Sequence, residues 1–233
     1  MLDIFSLSPS PESEGFGKQL PMQIAEYIAG EIFSGRFKPG DRLKEEGLAE
    51  KFRTSRAPVR EALYLLHIDG LVERLPRRGT VVREYTEKEV QELYEVRLGL
   101  EQLAIDRLAN RWTDDGYQQF MLLLQDMSTA VSEADIEQYG KCNALFHQLL
   151  FKLADSEILW RLYRQLTNPL IALIQISTQQ KPEMQQSYGE HEQIVQVLQA
   201  RQFSRAKELL AENVRHGLNR AIQTRHNTTN LET

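Results

Sequence analysis

Five polar residues sit on helical stripes that are otherwise apolar, and their types are those that hold an acid or a metal ion. Over residues 86–110 the inward stripe reads Val90, Leu93, Arg97, Leu100, Ala104 and Leu108, which strands Arg97 among apolar neighbours. Over 135–154 it reads Ile136, Tyr139, Asn143, Phe146, His147 and Leu150, with Asn143 and His147 one turn apart. His191 leads the stripe Ile194, Val195 and Leu198, and Asn213 continues Ala206, Leu209 and Leu210. Polar groups on buried faces need partners. Five such positions on four helices predict a shared polar cavity; the alternative is that each group is satisfied separately in the core. Guanidinium and imidazole suit a small carboxylate, so the expected ligand is an acid held by Arg97, Asn143, His147, His191 and Asn213.

A second group is cationic. The chain carries a net charge of −5, yet residues 18–83 hold thirteen lysines and arginines against nine acids, a surplus of +4 that leaves −9 elsewhere. A basic lobe on an acidic body predicts a polyanion partner for the lobe alone. Its arginines cluster at two places. Arg53, Ser55, Arg56, Ala57 and Arg60 fall at the start of a short helix, and Arg77, Arg78 and Gly79 fall in a tight turn. Arginine is the side chain for bidentate contact with guanine or for a phosphate, and a helix start offers free N–H groups to phosphate.

The elements that position these groups follow from pattern and punctuation. A helix after Pro21 carries Ile24, Ile28 and Ile32 on one stripe and closes at Gly35. A short helix covers about Glu45 to Phe52, and Ser55 caps a third running to about Asp69, with Pro58 in its first turn. Val59, Ala62, Leu63 and Leu66 form its buried face, and Arg56, Arg60 and Tyr64 point away. Two extended runs, 71–75 and 80–83, are joined by Pro76-Arg77-Arg78-Gly79 as a basic hairpin. Two helices, a tight turn and a basic hairpin make a winged helix-turn-helix, whose second helix enters the major groove. From Thr86 the period is helical throughout, over about 86–110, 114–131, 135–154, 157–178, 187–200 and 203–224, with N-caps at Thr113, Asp135 and Ser156 and a kink expected at Pro169. The fold expected is therefore mostly α: a winged helix-turn-helix over 18–83, then an all-α antiparallel bundle over 86–224, with tails at 1–17 and 225–233.

These motifs also carry a family resemblance. Gly35-Arg36-Phe37-Lys38-Pro39-Gly40-Asp41-Arg42-Leu43, Leu48-Ala49-Glu50, Ser55 through Leu63, Gly70-Leu71-Val72-Glu73 and Arg78-Gly79-Thr80 closely resemble the GntR family of bacterial regulators. Arg97-Leu98-Gly99-Leu100-Glu101, Phe146 through Leu150 and the stretch from His191 to Ala206 resemble the FCD domain that accompanies many of them. The resemblance implies a homodimeric transcription factor, with Ser55, Arg56 and Arg60 on operator DNA and Arg78 and Gly79 in the wing. It departs at Arg53, where the family has glycine: either the turn is altered or Arg53 adds a phosphate contact. It also implies a divalent metal, zinc or nickel, that helps hold a carboxylate effector. The four ligand places are Asn143, His147, His191 and Asn213, with His216 one turn further on as a substitute. Asparagine at two of them is a weak neutral donor in place of carboxylate and imidazole.

Composition narrows the remaining classes. Hydrophobic residues at 41% and charged residues at 26% are those of a soluble chain, and no apolar run reaches the roughly 20 residues of a membrane span. One cysteine, Cys142, excludes an internal disulfide and fits a cytoplasmic protein. Two other readings stand beside the ligand-responsive regulator: a constitutive DNA-binding protein with a vestigial cavity, and a helical metal-dependent hydrolase, which needs an open metal site and a general base. On the favoured reading the chain is not an enzyme, and Arg97→Ala silences the ligand response while sparing ligand-free DNA binding.

Overall fold

A computed structural model describes residues 19–177 and 180–231, so the tail expected over 1–17 lies outside the described residues. The chain divides between Tyr85 and Thr86 into two compact units. Among the described residues no helix is long and apolar enough to cross a membrane.

The first unit contains α1 (Leu20–Phe33), α2 (Glu45–Lys51), α3 (Arg56–Ile68), β1 (Val72–Leu75) and β2 (Gly79–Val82). Pro21 opens α1, and Ile24, Ile28 and Ile32 bury its inner face, packed beside α3. Val59, Ala62, Leu63 and Leu66 supply the matching face of α3. The link between α2 and α3 is a Schellman turn. Arg53 donates from its N–H to Glu50 O at 3.1 Å, and Thr54 to Ala49 O at 2.9 Å. That motif needs a left-handed residue after the helix, and Arg53 supplies it with φ 49°. The turn is thus preserved in spite of the missing glycine, with the strain borne by an arginine. Ser55 occupies the N-cap position of α3, but its side chain makes no cap hydrogen bond, contrary to the expectation from sequence.

The wing pairs Val72 with Val82 and Leu75 with Gly79 in an antiparallel register. Residues 40–43 add a third edge: Leu43 donates to Thr80 O, Gly40 to Val82 O, and Val82 to Asp41 O, each at 2.9 Å. Arg77 and Gly79 at the tip both have positive φ, 65° and 79°. Gly79 takes that conformation without the cost Arg77 bears.

The second unit is built from α4 (Glu87–Leu108), α5 (Asp114–Glu133), α6 (Ile136–Leu153), α7 (Glu157–Ser177), α8 (Lys181–Gln199) and α9 (Phe203–Leu231). Thr86 caps α4 in a reciprocal box with Glu89; Thr113, Asp135 and Ser156 accept from Gly116, Gln138 and Leu159 at the starts of α5, α6 and α7. Pro169 lies inside α7. Phe146 of α6 lies in the core, its ring 4.9 Å from that of Phe120 and 4.3 Å from that of His191. Two boundaries differ from expectation. Helix α8 begins at Lys181 rather than about 187, because Pro182 suits a first turn and Glu183 accepts from Gln180 N–H at 3.1 Å. Helix α9 continues to Leu231, where a tail was expected from 225, since no glycine or proline stops it.

Arg53→Gly should raise the stability of the chain by up to about 1 kcal/mol. It removes a left-handed penalty of ~1–2 kcal/mol and adds some unfolded-state entropy. Denaturant unfolding checks this, and a lowered midpoint would show that Arg53 is not strained.

Candidate functional site

The residues expected to meet DNA are all on the surface: Arg53, Ser55, Arg56, Ala57 and Arg60 around the start of α3, and Arg77, Arg78 and Gly79 at the wing tip. Because Ser55 leaves α3 without a side-chain cap, the first N–H groups of that helix stay available to an anion. Two acids of α2 stand beside the arginines. Glu45 accepts from Arg60 Nε at 2.7 Å, and Glu46 accepts from a terminal nitrogen of Arg56.

Inside the second unit the polar residues form a connected chain. Arg97 Nε donates to Glu101 Oε1 at 2.8 Å, and the other Glu101 oxygen meets His147 Nδ1 at 3.0 Å. His147 Nε2 lies 3.4 Å from His191 Nε2, and His191 Nδ1 donates to Ser187 O at 2.6 Å. All four side chains are buried, with exposures of 3, 0, 1 and 0%. Glu101 is the member that stripe analysis missed. Its signal was present, because it stands four residues after Arg97, the spacing of a helical ion pair. Burial opposes its ionisation, but Arg97, then His147, outweigh that and hold the carboxyl at about 2. Burial likewise works against the charge on Arg97, and Glu101 more than restores it.

The tautomers follow. Ser187 O only accepts, so His191 Nδ1 carries a proton; an ionised Glu101 assigns the other proton to His147 Nδ1. Burial lowers both imidazoles, His147 further through Arg97 and His191 further through His147. Both rings are therefore neutral at pH 7, and their Nε2 lone pairs face each other. Nearby, Asn143 Oδ1 is buried without a hydrogen-bond partner.

The expected cavity set is thus assembled in part. Arg97, His147 and His191 join one chain, with Asn143 on the same α6 face. Asn213 turns elsewhere: its amide donates to Glu190 at 2.8 Å, and His216 Nδ1 meets the same carboxylate at 2.7 Å. Glu190, unremarked in the sequence, claims both, so His216 does not replace Asn213 as a ligand. Among the described residues no three His, Cys, Asp or Glu side chains converge as metal ligands. His147 and His191 still have the spacing of two ligands on one divalent ion, with Asn143 one turn before His147 on α6. Two imidazoles at the ~2.0–2.1 Å typical of zinc and a tetrahedral angle stand about 3.4 Å apart, and each ring is oriented through its far nitrogen as metal-bound histidines are.

Comparison with known proteins gives a consistent picture. The model of the FCD domain matches residues 92–216, and that of bacterial regulatory proteins, gntR family, matches 20–82. An uncharacterized HTH-type transcriptional regulator of Bacillus subtilis, YdhC, is 32% identical over 156 residues, covering 66% of this chain and 69% of its own. The gluconate operon transcriptional repressor of Bacillus licheniformis is 28% identical over 174 residues, covering 75% and 70%. Among solved structures, Escherichia coli McbR/YncC shares the fold at a TM-score of 0.76 with 23% identity, over 89% of this chain and 99% of its own.

The ion pair changes what Arg97→Ala reports. It leaves Glu101 charged and uncompensated in the core, at a cost of about 3–5 kcal/mol, so folding suffers together with any ligand response. Arg97→Met with Glu101→Gln, which also removes the charge and keeps an acceptor for His147, should lose less. Equal losses in thermal unfolding would show that the pair is not what matters.

Acid should act in two windows. Both histidines titrate below their ordinary 6.5 in the folded chain, so under pH 6.5 the unfolded state binds more protons and stability falls. Each contributes a slope approaching about 1.4 kcal/mol per pH unit. Glu101 stabilises fully above 4.5 and loses that contribution as pH drops toward about 2. A melting midpoint that stays flat from pH 7 to 5, or a His147→Gln variant with the parent's slope, would contradict the assignment.

Proposed function

This chain belongs to the GntR family of bacterial regulatory proteins, with an FCD domain as its second unit, and from that premise we propose that its first unit reads an operator through α3 and the wing while its second answers to a small carboxylate. It is a DNA-binding transcriptional regulator, as its relatives are, and not an enzyme.

On the DNA side, Arg56 and Arg60 project from the exposed start of α3, which carries no side-chain cap, and Arg78 with Gly79 offers a wing. Arg53 adds a phosphate contact from the turn. A two-fold dimer on a pseudo-palindrome suits this motif. Support for a dimer comes from α4 and α7, which pack beside each other and each leave two large apolar side chains exposed, Val96 and Leu103 on α4 and Ile158 and Leu162 on α7.

On the sensor side, the observation that carries the reading is the His147–His191 contact, with the two Nε2 atoms 3.4 Å apart; with a proton on each Nδ1, each Nε2 is left as an acceptor. Such an arrangement favours a cation or a hydrogen-bond donor. The charges of Arg97 and Glu101 cancel, so a buried carboxylate needs a further positive charge. A divalent ion held by His147 and His191, with Asn143 Oδ1 beside them, would supply it by attracting the acid. Asn143 then contributes a neutral donor where a carboxylate would leave less net charge for the effector. The relative that represses a gluconate operon is consistent with an acid of this class.

The test uses the whole chain. Arg56→Ala, Arg60→Ala and Arg78→Ala should each weaken operator binding by about 1–3 kcal/mol. A panel of small carboxylates, run with and without zinc or nickel, should contain one that raises the melting midpoint and changes operator affinity. Normal operator binding by all three variants overturns the DNA reading. A panel with no active acid, under either metal condition, leaves the constitutive reading in its place.

A further inference from the structure

The two ion pairs between α2 and α3 look alike, but they engage the arginines at different nitrogens. A guanidinium presents one N–H at Nε and two at each terminal nitrogen, and bidentate recognition of guanine O6 and N7 uses the terminal pair. Glu45 takes Arg60 by Nε at 2.7 Å, on the flank of the fork, and so leaves the tip free. Glu46 takes Arg56 by a terminal nitrogen, one of the two a guanine contact needs. Arg60 can therefore meet a base with both terminal nitrogens while keeping its carboxylate, whereas Arg56 must share one terminal nitrogen between Glu46 and a base.

The surroundings favour the same division. Glu45 and Glu46 both lie in the first turn of α2, where acids suit the helix dipole. Glu45 is the better sheltered, its side chain 32% exposed against 70% for Glu46. A carboxylate beside a reading arginine also repels phosphate, and that repulsion falls on every duplex, whatever its sequence. Correct base contact compensates for it; a random duplex does not.

We propose that Glu45 is a positioning residue that sets sequence specificity: by holding Arg60 through Nε it aims the guanidinium tip at a base edge, while Glu46 merely restrains Arg56 from phosphate. The proposal rests on the reading of α3 as the operator-contacting helix. Glu45 acts as a hydrogen-bond acceptor in this role, so its geometry matters for specificity and its charge for discrimination against random DNA.

The experiment is binding-site selection from a random duplex pool with the full chain, followed by titrations on the selected and a scrambled duplex. The wild type should select a motif with a dominant guanine in each half-site, and Arg60→Ala should relax that one position. Glu45→Ala should relax the same position, reducing its preference about tenfold, while binding the scrambled duplex more tightly. Glu45→Gln, which keeps an acceptor for Nε, should restore most of the preference yet retain the stronger binding to scrambled DNA. Glu46→Ala should strengthen binding to both duplexes alike and leave the motif unchanged. Continued binding of scrambled duplex by Glu45→Ala shows that its DNA-binding unit is folded. A Glu45→Ala motif identical to the wild type's overturns the proposal. If Arg60→Ala leaves every position unchanged, Arg60 reads no base and the proposal falls with that assignment. A wild type that selects no motif fails at the earlier step, the operator reading itself.

Discussion

Glu101 has no exposed surface, and a carboxylate in that position is tolerable only because both of its oxygens are engaged, one by Arg97 and one by His147. The consequences run outward along the chain of contacts. An ionised Glu101 fixes the proton on His147 Nδ1, which turns the Nε2 lone pair toward His191. Ser187 O does the same for His191 from the other side. Three helices, α4, α6 and α8, are thereby tied through side chains whose hydrogen-bonding directions are mutually determined. Such a network is costly to disturb in part, because removing any member leaves another buried and unsatisfied.

The same economy sets the charge of the centre. Burial keeps the imidazoles neutral, Arg97 and Glu101 cancel, and the unpartnered acceptor at Asn143 adds no charge. What is left is a buried, neutral group of acceptors. Phe146, set against the rings of both histidines, keeps their far side apolar.

In the DNA-binding unit the governing constraint is conformational rather than electrostatic. The α2–α3 turn requires a left-handed residue, and here an arginine accepts that strain. The hydrogen bonds of the turn are unchanged, so α3 keeps its place and Arg53 remains on the surface as an additional cation. The wing is braced in a similar way, by residues 40–43 pairing with β2. Its tip stays free to carry Arg77 and Arg78.

Periodicity and punctuation by themselves determined the class of fold, the break near Thr86, the faces of α1 and α3, and the caps at Thr113 and Asp135. These are local properties: a stripe or a cap depends on residues within a few positions of each other. The chain also marked Arg97, Asn143, His147 and His191 as polar residues on buried faces, because their mismatch with neighbours is written in the pattern. Partnership was decided only in three dimensions. Glu101 is one turn from Arg97 in sequence but 46 residues from His147, and nothing local says that they meet. Asn213 and His216 fall at the right spacing to join the cluster, yet Glu190 of the neighbouring helix captures both. The choice between Nε for Arg60 and a terminal nitrogen for Arg56 likewise depends on how α2 is set against α3. Hydrogen-bond direction is a property of packed side chains, and packing brings together residues that no spacing along the chain relates.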